Sequence, residues 1–222
     1  MNLTLTLTIT LGAPLLILLI VILSDKFREP IDLILKTFFM GILLCLVAGE
    51  LNFLLIPSFE YSYIAGFTEE TLKFLALFFY IRPKKAFNEP MDAIVYGTII
   101  SLGFATLENF FYVYDPGDPE VSSLVIAIVR ALSAIPLHAT CGVIMGYFFG
   151  LYAFSGSRIL LIKSLLIPMF THAFYNYLTG SSRFLWLFLL LAAIFYASNL
   201  HKKLSILQRN KTIEQEKKII NE

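Results

Sequence analysis

The sequence predicts an all-α protein, a polytopic bundle of transmembrane helices. Of its 222 residues, 58% are hydrophobic and only 15% are charged, and the mean hydropathy is +0.77. Soluble domains carry about 25% charged residues, so this composition excludes an ordinary soluble enzyme. Because a membrane-spanning helix needs about 20 apolar residues, the chain has room for roughly six to eight spans and little else.

Polar connections divide the apolar sequence into seven predicted spans. These are residues 3–23, 31–56, 61–81, 91–114, 121–154, 159–178 and 183–200. The first alternates leucine with threonine, but an isolated strand cannot pair its backbone in lipid, so a helix is expected. It also lacks the features of a signal peptide and should be retained. The fifth is long, and Pro136 should kink it.

Residues 1–200 therefore form one predicted helical membrane domain, followed by a short charged tail at 201–222. The tail mixes lysine and glutamate with isolated apolar residues. Two alternatives remain open for it, namely an amphipathic helix on the membrane surface or a disordered solubilising segment.

Lysine and arginine are distributed unevenly between the two sets of connections. One set contains Lys26, Arg28, Arg82, Lys84, Lys85 and Arg158, and the tail adds six more. The opposite set, at 57–60, 115–120 and 179–182, has none, with Arg183 at its border. Positive loops stay in the cytoplasm, so we expect the N-terminus outside and the C-terminus in the cytoplasm. The expected environment is the lipid bilayer, because of the apolar composition. There is no basic patch outside these loops, and no nucleic acid is expected to bind.

Four of the spans carry polar side chains that lipid disfavours. They are Glu69, Glu70 and Lys73 in span three, Glu108 and Asn109 in span four, His138 in span five, and His172 and Asn176 in span six. A charged group at the bilayer centre costs about 2.5–3.5 kcal/mol, so such groups face a protein interior or a wet cavity. At about 1.5 Å per residue, the carboxylates and His172 fall roughly 9–14 Å below the same surface. We therefore expect one intramembrane site within residues 61–178, with the kink or tilt of span five bringing His138 to its level.

The tandem carboxylates Glu69 and Glu70 suit general-base chemistry. Two neighbouring carboxylates in a low dielectric cannot both ionise cheaply, so one can activate a water while Lys73 keeps the other charged. The alternative is an internal ion pair that only fixes helix packing.

The imidazoles of His138 and His172 are candidate metal ligands or oxyanion donors, and the alternative is that they are hydrogen-bonded core residues. Catalytic zinc is usually held by three protein ligands and a water, which the two imidazoles and one glutamate would supply. Glu108 could be that third ligand, or it could orient a histidine from behind.

The remaining intramembrane polar residues have plainer alternatives. Asn109 and Asn176 could donate to an oxyanion, or they could only bridge helices. We expect Glu50 and Arg130, both in the outer halves of their spans, to form a structural pair. Cys45 and Cys141 lie in apolar runs and should be packing residues. On span five, Gly142, Gly146 and Gly150 continue from His138 in steps of four, a stripe that lets another helix approach closely.

These residues fall into motifs that resemble the PrsW family of intramembrane proteases over about residues 60–180. The motifs are E-E-x-x-K (Glu69, Glu70, Lys73), F-x-x-x-E-N-x-x-Y (Phe104, Glu108, Asn109, Tyr112), Arg130-Ala131 leading to His138, and H-x-x-x-N (His172, Asn176). The set is more distantly similar to the CAAX-processing membrane proteases, which carry E-E-x-x-x-R and F-x-x-x-H. Here Lys73 comes one residue early and Glu108 stands where that family has histidine, which favours the PrsW branch.

The resemblance implies hydrolysis of a peptide bond in a membrane-anchored protein at the outer side of the membrane. PrsW-like proteins are associated with cutting anti-sigma factors. The short loops and the lack of a targeting peptide suggest a prokaryotic plasma membrane. Two rival functions are a non-catalytic scaffold, as in the APH subunit of gamma-secretase, and an ion or proton transporter. The tandem glutamates argue against the scaffold, and the lack of an internal repeat argues against the transporter.

Overall fold

A computed structural model of the protein describes residues 3–115 and 120–221, with side chains up to residue 210. Its eight α-helices within these ranges are α1 (Leu3–Ser24), α2 (Ile31–Leu55), α3 (Ile64–Ala76), α4 (Pro90–Tyr114), α5 (Ser123–Leu132), α6 (Ala134–Ser155), α7 (Arg158–Ser181) and α8 (Leu185–Asn221). A 3-10 turn at Phe59–Tyr61 precedes α3, and a π-helical turn at Leu77–Ile81 continues it. No strand occurs in the described ranges, so the prediction of an all-α membrane bundle is confirmed.

Six helical segments of the described chain are long and apolar enough to cross a membrane. They are Leu3–Ser24, Ile31–Leu55, Pro90–Tyr114, Ser123–Ser155, Arg158–Ser181 and Leu185–Asn210. These correspond to six of the seven predicted spans. The third predicted span is helical as well, but α3 has only 13 residues before its π-helical turn and carries the charged E-E-x-x-K motif.

The fifth predicted span is broken in two rather than kinked at its proline. Ser133 separates α5 from α6 with non-helical φ and ψ angles of −130° and −73°. Pro136 then lies in the first turn of α6, where a missing N–H leaves no helical hydrogen bond unmade. The proline therefore acts as part of a helix start, three residues after the break.

Helix α4 lies at the centre of the bundle and packs against α6 and α2. The predicted glycine stripe of α6 makes this contact close. A Cβ built at Gly146 would lie 2.5 Å from the Cα of Ile94, and one at Gly142 would lie 2.8 Å from the Cα of Thr98. On the other side of α4, Gly103 faces Gly41 of α2 in the same way. Backbones this close leave no room for a side chain, which explains the glycines.

The polar motifs meet at one end of the bundle. At this end α2, α4 and α7 finish and α3 and α6 begin, and we call it the site end. The connections there are the ones without lysine or arginine between their helices, at 56–63, 115–122 and 182–184, apart from Arg183. Cys45 and Cys141 are both buried and free, as predicted for packing residues.

Candidate active site

A buried ammonium group forms the core of the site. Lys73 lies one turn after the tandem glutamates on α3, so that its Nζ is 2.7 Å from Oε1 of Glu70 and 3.8 Å from Oε2 of Glu69. The exposed fractions of these three side chains are 0% to 4%. The ammonium also lies 4.2 Å from the ring centroid of Phe104 on α4. An ammonium has three donors, so it can bond to a side chain of its own helix α3 and to side chains of neighbouring helices at the same time.

The hydrogen bonds of His138 define where its proton lies. Its Nδ1 is 2.9 Å from Nζ of Lys73, and its Nε2 is 3.0 Å from Oε2 of Glu108. An ammonium only donates, so Nδ1 is the acceptor and the proton is on Nε2. The Nε2–H group then donates to Glu108. His138 is thus a neutral imidazole whose protonated nitrogen, Nε2, is hydrogen-bonded to a carboxylate.

His172 of α7 is also hydrogen-bonded to a carboxylate, but through its other ring nitrogen. Its Nδ1 lies 3.0 Å from Oε1 of Glu70, and since an ionised carboxylate only accepts, Nδ1–H is the donor. The lone pair of Nε2 is therefore directed away from Glu70. The two imidazole rings are perpendicular, with centroids 5.0 Å apart. Each imidazole is thus oriented by one carboxylate and keeps its other nitrogen as an acceptor.

Arg130 belongs to the site, although the sequence predicted it as half of a structural pair and marked it only as part of a family motif. The structural pair of Arg130 with Glu50 predicted above is wrong, because Nη2 of Arg130 lies 2.5 Å from Oε2 of Glu108. Its Nε donates to Oδ1 of Asn109 at 2.9 Å. The only sequence signal was the position of Arg130 eight residues before His138, and depth alone could not say which acidic residue it faced.

The two predicted amides have different surroundings. Asn109 is fully buried, and its Nδ2 donates to the carbonyl of Thr10 on α1 at 2.9 Å. Asn176 donates to the carbonyl of Ser62 at 3.2 Å and lines the cavity described next. A third amide, Asn52 of α2, donates to Oε1 of Glu69 at 3.2 Å. Nothing in the sequence motifs pointed to Asn52.

A cavity of about 670 Å³ opens at the site end. Its wall includes Glu69, Glu108, Arg130, His138, His172 and Asn176, together with apolar residues of α2, α4 and α6. Glu69 is on this wall, whereas Glu70 and Lys73 are not. A cavity of this volume, with apolar walls and a few polar groups, has the size and lining of a ligand site.

The donor atoms of Glu69, His138 and His172 lie within 4.8 Å of one another, close enough to bind one metal ion. Two imidazoles and a carboxylate are a common ligand set for catalytic zinc. Oε2 of Glu69 is buried and has no hydrogen-bond partner among the described residues, which leaves it available to a cation. Glu108, predicted as the third ligand, is not part of this group and instead contacts His138 and Arg130.

Comparison with known proteins points to one family. A family model described as PrsW family intramembrane metalloprotease matches residues 4–199. The protease PrsW of Bacillus subtilis is 36% identical over 176 residues, covering 74% of this chain and 78% of that protein. The protease PrsW of Geobacillus kaustophilus is 35% identical over 166 residues, covering 70% and 71%. That of Clostridioides difficile is 32% identical over 170 residues, with the same coverage. No solved structure matches the chain.

Proposed function

Because this chain belongs to the PrsW family of intramembrane metalloproteases, we propose that it cuts a membrane-anchored protein at a site near the outer face of the membrane. It is a prokaryotic integral membrane protein, and its family supports intramembrane proteolysis as its activity. The observation that carries the proposal is the cavity at the site end, where Glu69 and two imidazoles meet within 4.8 Å.

The outward location follows from the charge of the loops. The site end carries the connections without lysine or arginine, and the opposite end carries the positive ones. Positive loops stay in the cytoplasm, so the cavity faces the outer leaflet. A membrane-anchored anti-sigma factor, the substrate implied by the PrsW resemblance, would present its cleavage site at this level.

Glu69 is the residue to which we assign water activation. It is the member of the tandem pair on the cavity wall, and its Oε2 has no hydrogen-bond partner among the described residues. Asn52 holds the other oxygen. Oε2 takes the proton of the attacking water and later returns it to the leaving amine. Oε1 of Glu70 accepts hydrogen bonds from Lys73 and His172, and Glu70 is not on the cavity wall, so we assign it to orienting these groups instead of meeting the water.

The same residues suit the metal that the family description implies. Nδ1 of His138, Nε2 of His172 and Glu69 would hold it, with Glu108 and Glu70 as the carboxylates behind the two imidazoles. Zinc there would polarise the scissile carbonyl and make a bound water more acidic. Asn52 holds Oε1 of Glu69, so Oε2 is the oxygen that either a metal or the attacking water would meet.

The amides divide into two roles. The NH2 group of Asn176 has a second hydrogen besides the one given to Ser62, and it lines the cavity, so we assign it to the developing oxyanion. Asn109 is occupied by Thr10 and Arg130 and is absent from the cavity wall. We therefore assign Asn109 a supporting role.

The proposal is tested by Glu69→Gln, which keeps the shape of the side chain and removes its charge. Bacterial membranes that contain the wild type or this variant are compared by mapping new protein N-termini with mass spectrometry. We expect fragments of single-span proteins, cut near the outer face, that disappear with Glu69→Gln and persist with Glu60→Gln, an exposed control. Identical N-termini with wild type and Glu69→Gln would contradict the proposal and favour a scaffold.

A further inference from the structure

Arg130 joins α5 to α4 through its guanidinium group, and Asn109 extends this network to α1. Arg130 lies in the last turn of α5, and Nη2 and Nε reach two successive residues of α4, Glu108 and Asn109. Its guanidinium carbon lies 4.1 Å from the ring centroid of Tyr112, one turn further along α4. Asn109 in turn donates to the backbone of α1. This network connects α1 and α5 to α4. Neither α1 nor α5 carries a residue of the proposed ligand set.

The network ends on the imidazole of His138. Oε2 of Glu108 accepts hydrogen bonds from Arg130 at 2.5 Å and from Nε2 of His138 at 3.0 Å. One oxygen therefore receives both donors. A carboxylate fixed in this way sets the direction of the Nε2–H hydrogen bond and with it the orientation of the ring, while Lys73, which donates to Nδ1, sets the tautomer.

We propose that Arg130 is a positioning residue, which fixes Glu108 and through it the ring orientation of His138 and the hydrogen bond that its Nε2–H group donates. The inference rests on the proposed function in one respect only, namely that His138 has a role in catalysis. An ordinary structural ion pair would hold α5 against α4 but would leave the imidazole unaffected. The two cases therefore differ in what they do to His138.

The guanidinium suits this task better than an ammonium. Its planar fork presents Nε and Nη2 to two acceptors at once, and its face stacks on Tyr112. A lysine at the same position would carry the charge but could not make both hydrogen bonds and the stacked contact. Arg130→Lys should therefore have an effect in the same direction as Arg130→Ala and smaller.

The first test needs no metal and no substrate. Metal-free protein in detergent is labelled with 15N-histidine, and only three histidines have to be assigned. We expect wild-type His138 to show a protonated Nε2 and an unprotonated Nδ1. Arg130→Ala should shift the Nε2–H resonances, because the hydrogen bond to a Glu108 that is no longer held in place weakens, and Arg130→Lys should shift them less. Nδ1 should stay unprotonated in both variants, because Lys73 still donates to it. Arg183→Ala removes an exposed arginine at the same end of the bundle and should leave the resonances unchanged.

The second test is the affinity for Zn²⁺, measured by competition with a chromophoric chelator. Loss of a residue that orients a ligand from behind typically weakens metal binding about 10–100-fold, and we expect Arg130→Ala to fall in this range. Wild-type nitrogen resonances and wild-type zinc affinity in folded Arg130→Ala, or in folded Arg130→Lys if the alanine variant does not fold, would overturn the inference. A failure of the proposed function would appear separately, as unchanged proteolysis in Glu69→Gln.

Discussion

Nζ of Lys73 lies 2.9 Å from Nδ1 of His138, and both side chains are buried. Since the ammonium can only donate, it occupies the nitrogen that Glu108 leaves available on this imidazole. A metal ion bound at Nδ1 would therefore have to take over this contact, while Lys73 keeps its hydrogen bond to Glu70. The buried ammonium is thus the cation that both Glu70 and His138 contact in this structure.

This role makes Lys73 important for folding. Replacement by methionine keeps the length of the side chain but leaves Glu70 as a buried charge without its cation. Breaking a buried pair in this way costs about 3–5 kcal/mol. We expect Lys73→Met to lower the free energy of unfolding in detergent by this amount.

Lys36 offers a matched control, because it pairs with Asp32 in the same helical spacing at the surface of α2. An exposed pair contributes about 0–1 kcal/mol, so Lys36→Met should change little. Equal stability of the Lys73 and Lys36 variants would contradict the role of Lys73.

The contact between α4 and α6 supports the site by bringing His138 to α4. Gly146→Ala would place a Cβ against the backbone of Ala93 and Ile94. Overpacking of this kind costs about 1–3 kcal/mol. We expect a lower midpoint of thermal unfolding for Gly146→Ala.

A glycine without close neighbours serves as the control. A Cβ at Gly49 of α2 would meet nothing within 4 Å, so Gly49→Ala should be neutral or slightly stabilising. If both variants unfolded at the wild-type temperature, the close approach of α4 and α6 would not be needed for stability.

The sequence predicted how deep each polar residue lies in the membrane. It was much less informative about which way each side chain faces around its helix axis. The residue counts correctly brought the carboxylates of α3 and α4 and His172 to one level, because rise per residue is nearly constant. They could not separate Glu50 from Glu108 as the partner of Arg130, since both lie at a similar depth. That choice depends on the angle at which α5 meets α4.

The exact position of the break in span five was likewise not predictable from the sequence. Pro136 indicated an irregularity in this span. The break itself lies at Ser133, between α5 and α6, and the proline falls in the first turn of α6. The glycine stripe was predictable because its spacing of four directly marks one helix face. Asn52 was not predictable, because a single amide in an apolar span has no characteristic spacing.

A second acidic cluster at the opposite end predicts a pH effect on stability. Glu29 lies in the connection between α1 and α2, where burial raises its pKa above the usual 4.5. A hydrogen bond from Tyr96 and one with Asp92 oppose this shift, and the Asp25 and Glu89 carboxylates add to it.

Because the folded protein holds this proton more tightly than the unfolded chain does, Glu29 favours folding at pH values below 4.5. The contribution is lost as the pH rises through the raised pKa. Glu29→Gln cannot lose a proton, so its thermal midpoint should fall less than that of the wild type between about pH 5 and about pH 8. Glu60→Gln is the exposed control, and a wild-type pH profile in Glu29→Gln would refute this prediction.

We propose above that two imidazoles and Glu69 form a metal-binding proteolytic site. The most direct test is the metal content of detergent-purified protein by elemental mass spectrometry, comparing the wild type with His138→Ala, His172→Ala and His201→Ala. His201 hydrogen-bonds Ser24 at the opposite end of the bundle. We predict about one zinc ion per chain in the wild type and in His201→Ala, and loss of the metal in the other two. Folded, proteolytically active wild-type protein without a bound metal would contradict the account.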